Sequence, residues 1–571
     1  MEDTAIIYTA DAVAIVAEIV QQEMYKRSLI KWRINPDEET KSSVQLRMTS
    51  TFSYNDEFEV SVVSLNNFMV SAKTIRALMF GAGKMMRSLM IEFEQDYNNR
   101  YSATIKLHRG IVFPIKGKAE FPFRCHQLLC HPRSNSYDLL SEEQLRQEVI
   151  DHVLFGCNAI EMIPPGLDEY NASPHSDNDW LGRLSYVSDL CHQFDVMFTL
   201  WFPLSDHYDA DPIYSALKRV DCVLFSCGHL SGMPHSTFFK YVREQTEVAK
   251  DYFPKVKIWL SPHLGLHTPD FCVNDIDPLK RLEDFIEEMQ IFINNRIITG
   301  VVYTPWLPMT ADEFRTKIPQ NFSVRCMPDT THNFKCAFPV GPEWDFAFSA
   351  AYGTISINPR PLAWIRLFDV VMSYCRNGAT CYSEGRMDDV NKHLWSAMLW
   401  GMVSSAEEVM RDYTRWYCGS DDLYEIIMEL EENWRIPLRF GRVLATMRKF
   451  AKIQLSLPLR LERNWRFHLI AFRVFCDAFL YMQQYGSKAR ENLRWPIDRG
   501  RVQCGGDPLV RVYREQKEDE EDWFDPHVLV MFGRVEASAA MLYALGGIQL
   551  DMNRFVLVFF SKCAHFTVRV C

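Results

Sequence analysis

Three short apolar runs decide the fold class: Ala159-Ile-Glu-Met-Ile163, Met197-Phe-Thr-Leu-Trp-Phe202 and Val220-Asp-Cys-Val-Leu-Phe225. Each run has the length of a strand that is buried on both faces. Segments with helical periodicity separate the runs. Another such segment, 140–155, precedes the first run and opens with Ser141-Glu-Glu-Gln, which has capping-box spacing. Alternation of this kind is typical of parallel sheets.

The same alternation extends over about 280 residues. Eight strands are predicted, at 121–129, 159–163, 197–202, 220–225, 257–260, 300–303, 322–327 and 378–382. Helices are predicted between them at 140–155, 179–193, 237–252, 279–294 and 361–374. Eight strand–helix units indicate a (β/α)8 TIM barrel. A doubly wound sheet also alternates, but no glycine-rich fingerprint follows the first strand.

The flanking regions differ in pattern, so we expect three parts. Residues 1–120 are predicted to form an α+β domain, residues 121–402 the barrel, and residues 403–571 a helical C-terminal region. In the first part, 70–93 is interpreted as one helix that Gly81 and Gly83 break with a turn.

Composition narrows the class of protein. The chain has 571 residues, of which 47% are hydrophobic, 13% aromatic and 24% charged, so a disordered chain is excluded. The net charge of −11 argues against a nucleic-acid partner. The apolar run Phe555-Val-Leu-Val-Phe-Phe560 has strand length, so no membrane span is expected. No signal peptide is evident, which favours a cytoplasmic protein if the N-terminus is genuine.

The 16 cysteines show no metal-binding spacing. There is no Cys-x-x-Cys pair, and several cysteines lie in apolar runs, so we expect reduced, buried thiols rather than a zinc ribbon.

In a TIM barrel the active site lies at the carboxyl ends of the strands. Polar and aromatic residues near these ends are therefore the candidates for substrate binding: Arg124, His126, Arg133, Glu161, Trp201, His229, His263, Trp306, His332, Tyr382 and Arg386. A Trp at the rim suits the apolar face of a sugar, although core packing is the commoner use of any single Trp. Arg133 and Arg386 could recognise a uronate, or could equally pair with nearby carboxylates.

Carboxylates form the second group of candidates, because glycoside hydrolysis typically needs one protonated and one ionised carboxyl group. Glu384 is the expected acid/base residue and Asp329 its ionised partner, which His332 could hold. Asp388 and Asp389 are the substitutes, although helix capping is an equal interpretation for one of them. A metal-dependent hydrolase would use the His and Asp residues instead, but the histidines are scattered singly, so no metal or cofactor is expected.

Several stretches resemble a group of largely uncharacterised proteins classed with glycoside hydrolases. The resemblance extends to about residue 555 and rests on Cys125-His-Gln-Leu, Arg133-Ser-Asn-Ser-Tyr-Asp138, Phe155-Gly-Cys-Asn-Ala-Ile-Glu161 with Pro164-Pro165, Pro328-Asp-Thr-Thr-His332, Asn358-Pro-Arg-Pro361, Tyr382-Ser-Glu-Gly and Asp388-Asp-Val-Asn-Lys392. It implies an N-terminal domain similar to domain 2 of β-hexosaminidases and to the N-domain of α-glucuronidases. A barrel that acts on a terminal sugar, either a uronate or an N-acetylhexosamine, is implied to follow.

One departure from that group opens an alternative. Where the group tends to have Gly-Gly-Asp after the fourth strand, this chain has Cys227-Gly228-His229. In many related glycosidases the carboxylate at that strand is the general acid. The sequence therefore predicts either a glycoside hydrolase or a non-catalytic carbohydrate-binding pseudo-enzyme.

Overall fold

The computed structural model describes most of the chain up to residue 477 and three short segments near its end. The described residues are 3–64, 66–95, 101–128, 137, 140–163, 180–203, 210–227, 235–262, 278–304, 307–331, 357–383, 385–401, 405–433, 442–457, 464–467, 469–471, 473–474, 477, 548–551, 556–560 and 565–569.

The N-terminal part is built on a six-stranded mixed sheet. Its strands are β1 (Thr4–Ile7), β2 (Arg33–Ile34), β3 (Ser42–Met48), β4 (Glu57–Ser64), β5 (Asn67–Ala72) and β8 (Ile115–Lys118), in the order β2-β1-β3-β5-β4-β8. Strands β6 (Leu89–Gln95) and β7 (Tyr101–Leu107) form a separate antiparallel pair. Two helices, α1 (Ala14–Ser28) and α2 (Ile75–Arg87), accompany the sheet. The expected α+β character is confirmed.

The prediction of one interrupted helix over 70–93 is wrong, because this stretch contains the end of β5, helix α2 and most of β6. Gly81 and Gly83 lie inside α2 rather than at a break. A Cβ at Gly81 would lie 2.7 Å from Val70 Cγ1, and one at Gly83 would lie 2.2 Å from the Leu154 carbonyl oxygen. The two glycines therefore allow α2 to pack closely against its neighbours.

The middle of the chain is a closed barrel of eight parallel strands, which confirms the predicted fold class. The strands are β9 (Phe123–Leu128), β10 (Ala159–Met162), β11 (Met197–Pro203), β12 (Cys222–Ser226), β13 (Lys257–Ser261), β14 (Gly300–Tyr303), β15 (Ser323–Cys326) and β16 (Gly378–Cys381). The barrel closes where β16 pairs with β9, with Gly378 opposite Phe123. Gly378 has φ +110, and a Cβ there would lie 1.8 Å from the Phe123 carbonyl oxygen, so only glycine fits this seam.

Helices follow the strands, and those predicted at 140–155, 179–193, 237–252, 279–294 and 361–374 are confirmed. They are α3 (Glu142–Leu154), α4 (Trp180–Gln193), α5 (Asp211–Ala216), α6 (His235–Tyr252), α7 (Pro278–Asn294), α8 (Ala311–Lys317), α9 (Pro361–Met372) and α10 (Asp389–Trp400). The expected capping box is present at the start of α3, where Ser141 and Gln144 bond each other's backbone N–H groups. Each helix covers the outer face of the barrel between two strands.

Beyond the barrel the chain is helical in α11 (Ala406–Cys418), α12 (Leu423–Glu432) and α13 (Arg442–Ser456), as predicted. The final described segments are strands instead: β17 (Ile548–Asp551), β18 (Val556–Phe560) and β19 (His565–Arg569) form an antiparallel sheet. Over the described ranges, no helix has both the length and the apolar character that crossing a membrane requires.

Candidate active site

The pleat of the barrel strands decides which side chains can reach a site inside the barrel. Phe123, Cys125, Trp201, Trp259 and Tyr382 belong to one cluster that fills the barrel. Because alternate residues of a strand point to opposite faces, Arg124 and His126 point outward into the helix layer. The structure therefore does not bring these two residues to the mouth, where the sequence analysis expected them.

Arg124 connects the barrel to the N-terminal sheet. Its guanidinium donates to Asp56 at 2.8 Å, and to the carbonyl oxygens of Gly156 at 2.7 Å and Phe121 at 2.9 Å. The side chain is buried and fully occupied by protein partners. Its role is therefore structural, at the end of the barrel opposite the mouth.

His126 belongs to a buried cluster between the barrel and its helices. Its Nε2 lies 2.6 Å from Ser396 Oγ, and its ring packs in a tilted arrangement with the ring of His152, with the centroids 4.6 Å apart. Burial holds the pKa of His126 well below its ordinary value, so the imidazole is neutral at physiological pH. The packing of a neutral ring fits a core position, not contact with a substrate.

Glu161 points into the barrel but lies deep inside it. Its Oε1 accepts from Gln127 at 3.1 Å, and its Oε2 lies 3.5 Å from Arg325 NH2. The Arg325 guanidinium lies between the rings of Phe123 and Trp259, at 4.4 and 4.5 Å. Burial raises the pKa of Glu161 to about 7. The sequence analysis missed Arg325, although a basic residue inside the apolar run 322–327 was a usable signal.

Two carboxylates lie near the carboxyl ends of β15 and β16 and share Thr331 as a hydrogen-bond partner. Asp329 follows β15 and forms an isolated parallel bridge with Tyr382, which follows β16. The Thr331 backbone N–H donates to Asp329 Oδ1 at 2.9 Å, and the Thr331 hydroxyl donates to Asp388 Oδ2 at 2.5 Å. One threonine thus holds both carboxylates, whose residues are 0% and 1% exposed respectively.

Asp388 lies in the environment of an acid that retains its proton. Burial raises its pKa to about 7, and the charge of Asp329 adds to the rise, while the hydroxyl donors and Lys392 oppose it. Both hydroxyl donors, from Thr331 and Ser383, reach the same oxygen, Oδ2. Oδ1 is buried and has no hydrogen-bond partner within the described part of the chain, so it is the oxygen free to carry the proton.

The fold of this chain is similar to that of several solved glycoside hydrolases. A family 89 glycoside hydrolase from Clostridium perfringens, in complex with 2-acetamido-1,2-dideoxynojirmycin, aligns with a TM-score of 0.54 at 10% identity, over 93% of this chain and 70% of that chain. A family 89 structure from the same organism, in complex with PUGNAc, gives 0.51 at 9% identity over the same shares. A family 115 4-O-methyl-α-glucuronidase gives 0.48 at 8% identity, over 88% of this chain and 77% of that one.

This chain has the fold of a glycoside hydrolase. No family model and no curated protein matches its sequence. At these identities the likeness establishes the fold alone, so the chemistry has to be argued from the side chains.

Asp389 does not lie at the mouth of this glycoside-hydrolase fold. Its carboxylate accepts both Nε and NH2 of Arg466, at 2.7 and 2.9 Å, and the Tyr413 hydroxyl at 2.5 Å. Asp388 is the N-cap residue of α10 but makes no side-chain capping bond. The sequence analysis considered both residues as catalytic substitutes or as caps; the structure instead gives Asp389 an ion pair in the helix layer.

Arg386 matches the alternative that the sequence left open for it. Its Nε lies 3.3 Å from Glu148 Oε2, and its guanidinium lies 4.8 Å from the Trp465 ring. Because the guanidinium already pairs with a buried carboxylate, it is less available to bind the carboxylate of a sugar acid. The structure therefore gives Arg386 a protein partner rather than a free place at the mouth.

The aromatic side chains described at the mouth are packed rather than open. Trp201 is 2% exposed, and its ring meets the ring of Tyr382 edge to face at 6.2 Å. Trp259 is 6% exposed and packs on Arg325. Both indoles fit the alternative interpretation of barrel packing.

Six predicted site residues lie outside the described residues: Arg133, His229, His263, Trp306, His332 and Glu384. They stay predictions. Within the described ranges, no group of three or more His, Cys, Asp or Glu side chains is placed to hold a metal ion. The nine described cysteines are all buried and free.

Proposed function

We propose that this protein is a glycoside hydrolase that acts on a terminal sugar through paired carboxylates at the barrel mouth. The observation that carries the proposal is the pair Asp329 and Asp388, held by the single residue Thr331 at the ends of adjacent strands. A raised pKa at Asp388 suits a general acid, and a neighbouring carboxylate suits the base or nucleophile that glycoside hydrolysis needs.

Polar atoms of the barrel interior support binding of a polyhydroxylated ligand. Ser226 Oγ, Thr304 Oγ1 and Gln127 Oε1 are buried and lack hydrogen-bond partners across the residues that the structure describes. Ser226 and Thr304 each come two residues after an inward-facing residue, Leu224 and Val302, so they face the interior as well. Hydroxyl and amide oxygens at these positions could bond the hydroxyls of a sugar.

The sugar is proposed to be an N-acetylhexosamine or a uronate. The family 89 structures carry 2-acetamido-1,2-dideoxynojirmycin and PUGNAc, which makes N-acetylhexosaminides the first substrates to test. Glu384, the acid/base residue that the sequence favours, follows Ser383 directly and stays a candidate beside Asp388.

A screen of aryl-glycosides against the purified protein tests the proposal, with glycan binding measured in parallel. Asp388→Asn and Asp329→Asn should each lower kcat by about 10²–10⁴-fold and leave the fold intact. Asp369→Asn, an exposed aspartate on α9, is the matched control and should keep full activity. Glu384→Gln belongs in the same series, since a loss confined to that variant would move the acid role to Glu384.

A non-catalytic sugar-binding protein is the second candidate, and one observation favours it. The fourth barrel strand ends in Ser226 and Cys227, so no carboxylate stands at the position where related glycosidases have their acid. Binding of a glycan without turnover of any glycoside would support this candidate. Turnover that survives in both Asp388→Asn and Asp329→Asn would contradict the proposed carboxylate pair.

A further inference from the structure

A buried lysine on α10 stands behind the carboxylate pair. Lys392 is 0% exposed, and its Nζ lies 2.7 Å from Tyr137 Oη and 3.5 Å from the Gln127 carbonyl oxygen. A lysine is almost never buried fully unless it is paired, because the ammonium loses its hydration. Among the described residues no carboxylate is hydrogen-bonded to Nζ; Glu148, Asp388 and Asp389 act on its charge at longer range, and Tyr137 is its nearest hydrogen-bond partner.

Tyr137 connects Lys392 to Asp388 through hydrogen bonds with Ser383. Its hydroxyl lies 2.9 Å from Ser383 Oγ and 3.0 Å from the Gly385 carbonyl oxygen. Ser383 Oγ in turn lies 2.8 Å from Asp388 Oδ2 and 3.3 Å from the same Gly385 oxygen. The serine hydrogen therefore has two acceptors available, and only one of them is the carboxylate.

The donor and acceptor chemistry of Lys392 and Asp388 sets the direction of the hydrogen bonds that connect them. An ammonium group can only donate, so Tyr137 must accept from Lys392 and send its own hydrogen onward. Donation from Tyr137 makes the Gly385 oxygen a weaker acceptor for Ser383, which lies 3.3 Å from it, and so favours donation from Ser383 to Asp388 at 2.8 Å. Without Lys392 the tyrosine could turn its hydrogen away, and Ser383 could bond Gly385 instead.

We propose that Lys392 is a positioning residue for Asp388: through Tyr137 and Ser383 it orients the hydroxyl that donates to Oδ2 and leaves Oδ1 toward the substrate. Lys392 itself touches no reacting atom in this scheme. The inference rests on the role proposed for Asp388 above. It deepens that role, because it names the group that keeps the acid in one orientation.

Other charges act on the same pair and have to be held constant in a test. The titratable or charged groups that influence Lys392 or Asp388 are Asp329, Glu148, Asp389, Arg360, Cys381, His126 and His152. Variants at Lys392 and Tyr137 leave all of these side chains in place. A change in the titration of Asp388 in Lys392→Met combines the loss of the lysine charge with the loss of the lysine–tyrosine contact, and Tyr137→Phe isolates the contact because it keeps the charge.

The test is a pH titration by infrared difference spectroscopy of protein labelled with carboxyl-13C aspartate. The protonated-carboxyl band that disappears in Asp388→Asn is assigned to Asp388. Lys392→Met should raise the midpoint of this band by at least about one pH unit, since a positive charge and a fixed donor are both lost. Tyr137→Phe, which keeps the packing, should raise it by a smaller amount, and Lys392→Arg should restore at least half of the shift.

Lys84→Met is the matched control, because Lys84 pairs with Asp412 at 2.8 Å, away from the barrel interior, and should leave the midpoint unchanged. An unshifted midpoint in Tyr137→Phe overturns the proposal even if Lys392→Met fails to fold. So does the absence of any band that Asp388→Asn removes. The infrared measurement does not depend on turnover. If the band shifts in a protein that hydrolyses no glycoside, the proposed glycoside hydrolase activity is rejected, but the positioning role of Lys392 stands.

Discussion

Asp388 and Asp389 are neighbours in the chain and both are buried, yet they belong to different regions of the molecule. Asp388 lies at the barrel mouth, where hydroxyls surround it and burial raises its pKa to about 7. Asp389 lies in the helix layer, where Arg466 binds it through two nitrogens and the Coulombic attraction outweighs burial, so its pKa is lowered. Burial alone thus does not decide the protonation of a carboxylate; the partner does.

The largest effect is expected from breaking the ion pair in the helix layer. Asp389→Asn leaves the Arg466 guanidinium buried with Asp151 as its remaining charged partner among the described residues, and should lower the free energy of unfolding by about 3–5 kcal/mol. Asp388→Asn replaces a carboxyl that, with a pKa of about 7, is about half protonated at neutral pH, and should cost about 1 kcal/mol or less. Urea unfolding at pH 7 measures both. Equal losses in the two variants would show that the two environments do not differ as described.

The pH dependence of stability should separate the two regions by sign. Asp388 has a folded pKa of about 7, above its ordinary value of 3.8, so the folded state holds a proton that the unfolded state releases. Its contribution is complete below pH 4 and is lost as the pH rises to 7. His393, which contacts Asp389, has a folded pKa of about 4, below its ordinary value of 6.5, so its effect is opposite and stability rises with pH from 4 to 6.5.

Unfolding measured from pH 5 to 7 checks these signs. Relative to the wild type, Asp388→Asn should gain about 1–3 kcal/mol over this range, because the unfavourable term is removed. His393→Gln should lose the rise that the histidine supplies. Parallel curves for the wild type and Asp388→Asn would mean that Asp388 is ionised throughout the range.

A smaller effect on stability is expected from removing one hydroxyl donor in each region. Tyr413 donates to the charged Asp389, so Tyr413→Phe should cost about 1.5–3 kcal/mol. Thr331 donates to Asp388, which is only partly ionised at pH 7, so Thr331→Val should cost about 0.5–1.5 kcal/mol. Chemical denaturation of the two variants gives the ratio directly. The reverse order of losses would contradict the assigned protonation states.

The strands of the barrel could be predicted from the sequence to within two residues at each end, because parallel strands buried on both faces form continuous apolar runs. The face of the strand on which each side chain lies could not be predicted. The run Phe123-Arg-Cys-His126 alternates apolar and polar residues, but both faces of a barrel strand are buried, so the alternation does not show which face points inside. The prediction of a turn at the glycines of α2 was wrong for a related reason. Glycine serves both turns and close helix packing, and the sequence does not distinguish the two.

The candidate site was predicted only in part, because its contacts join distant parts of the chain. Asp329 and Asp388 were both named, but nothing near Asp389 in sequence points to Arg466 as its partner. Lys392 and Arg325 were missed as functional residues. A basic side chain in the middle of an apolar helix or strand is the signal that would have indicated them.

The seam of the barrel has a consequence for how the protein is made. Strand β16, which supplies the second neighbour of β9, begins 255 residues after β9 does. At about 5–20 residues per second of synthesis, β9 leaves the ribosome roughly 10–50 s before β16. Throughout that interval the nascent sheet has an open apolar edge, and Gly378 completes it only near the end of the barrel sequence. Until β16 is made, this edge is therefore open to pairing with other chains.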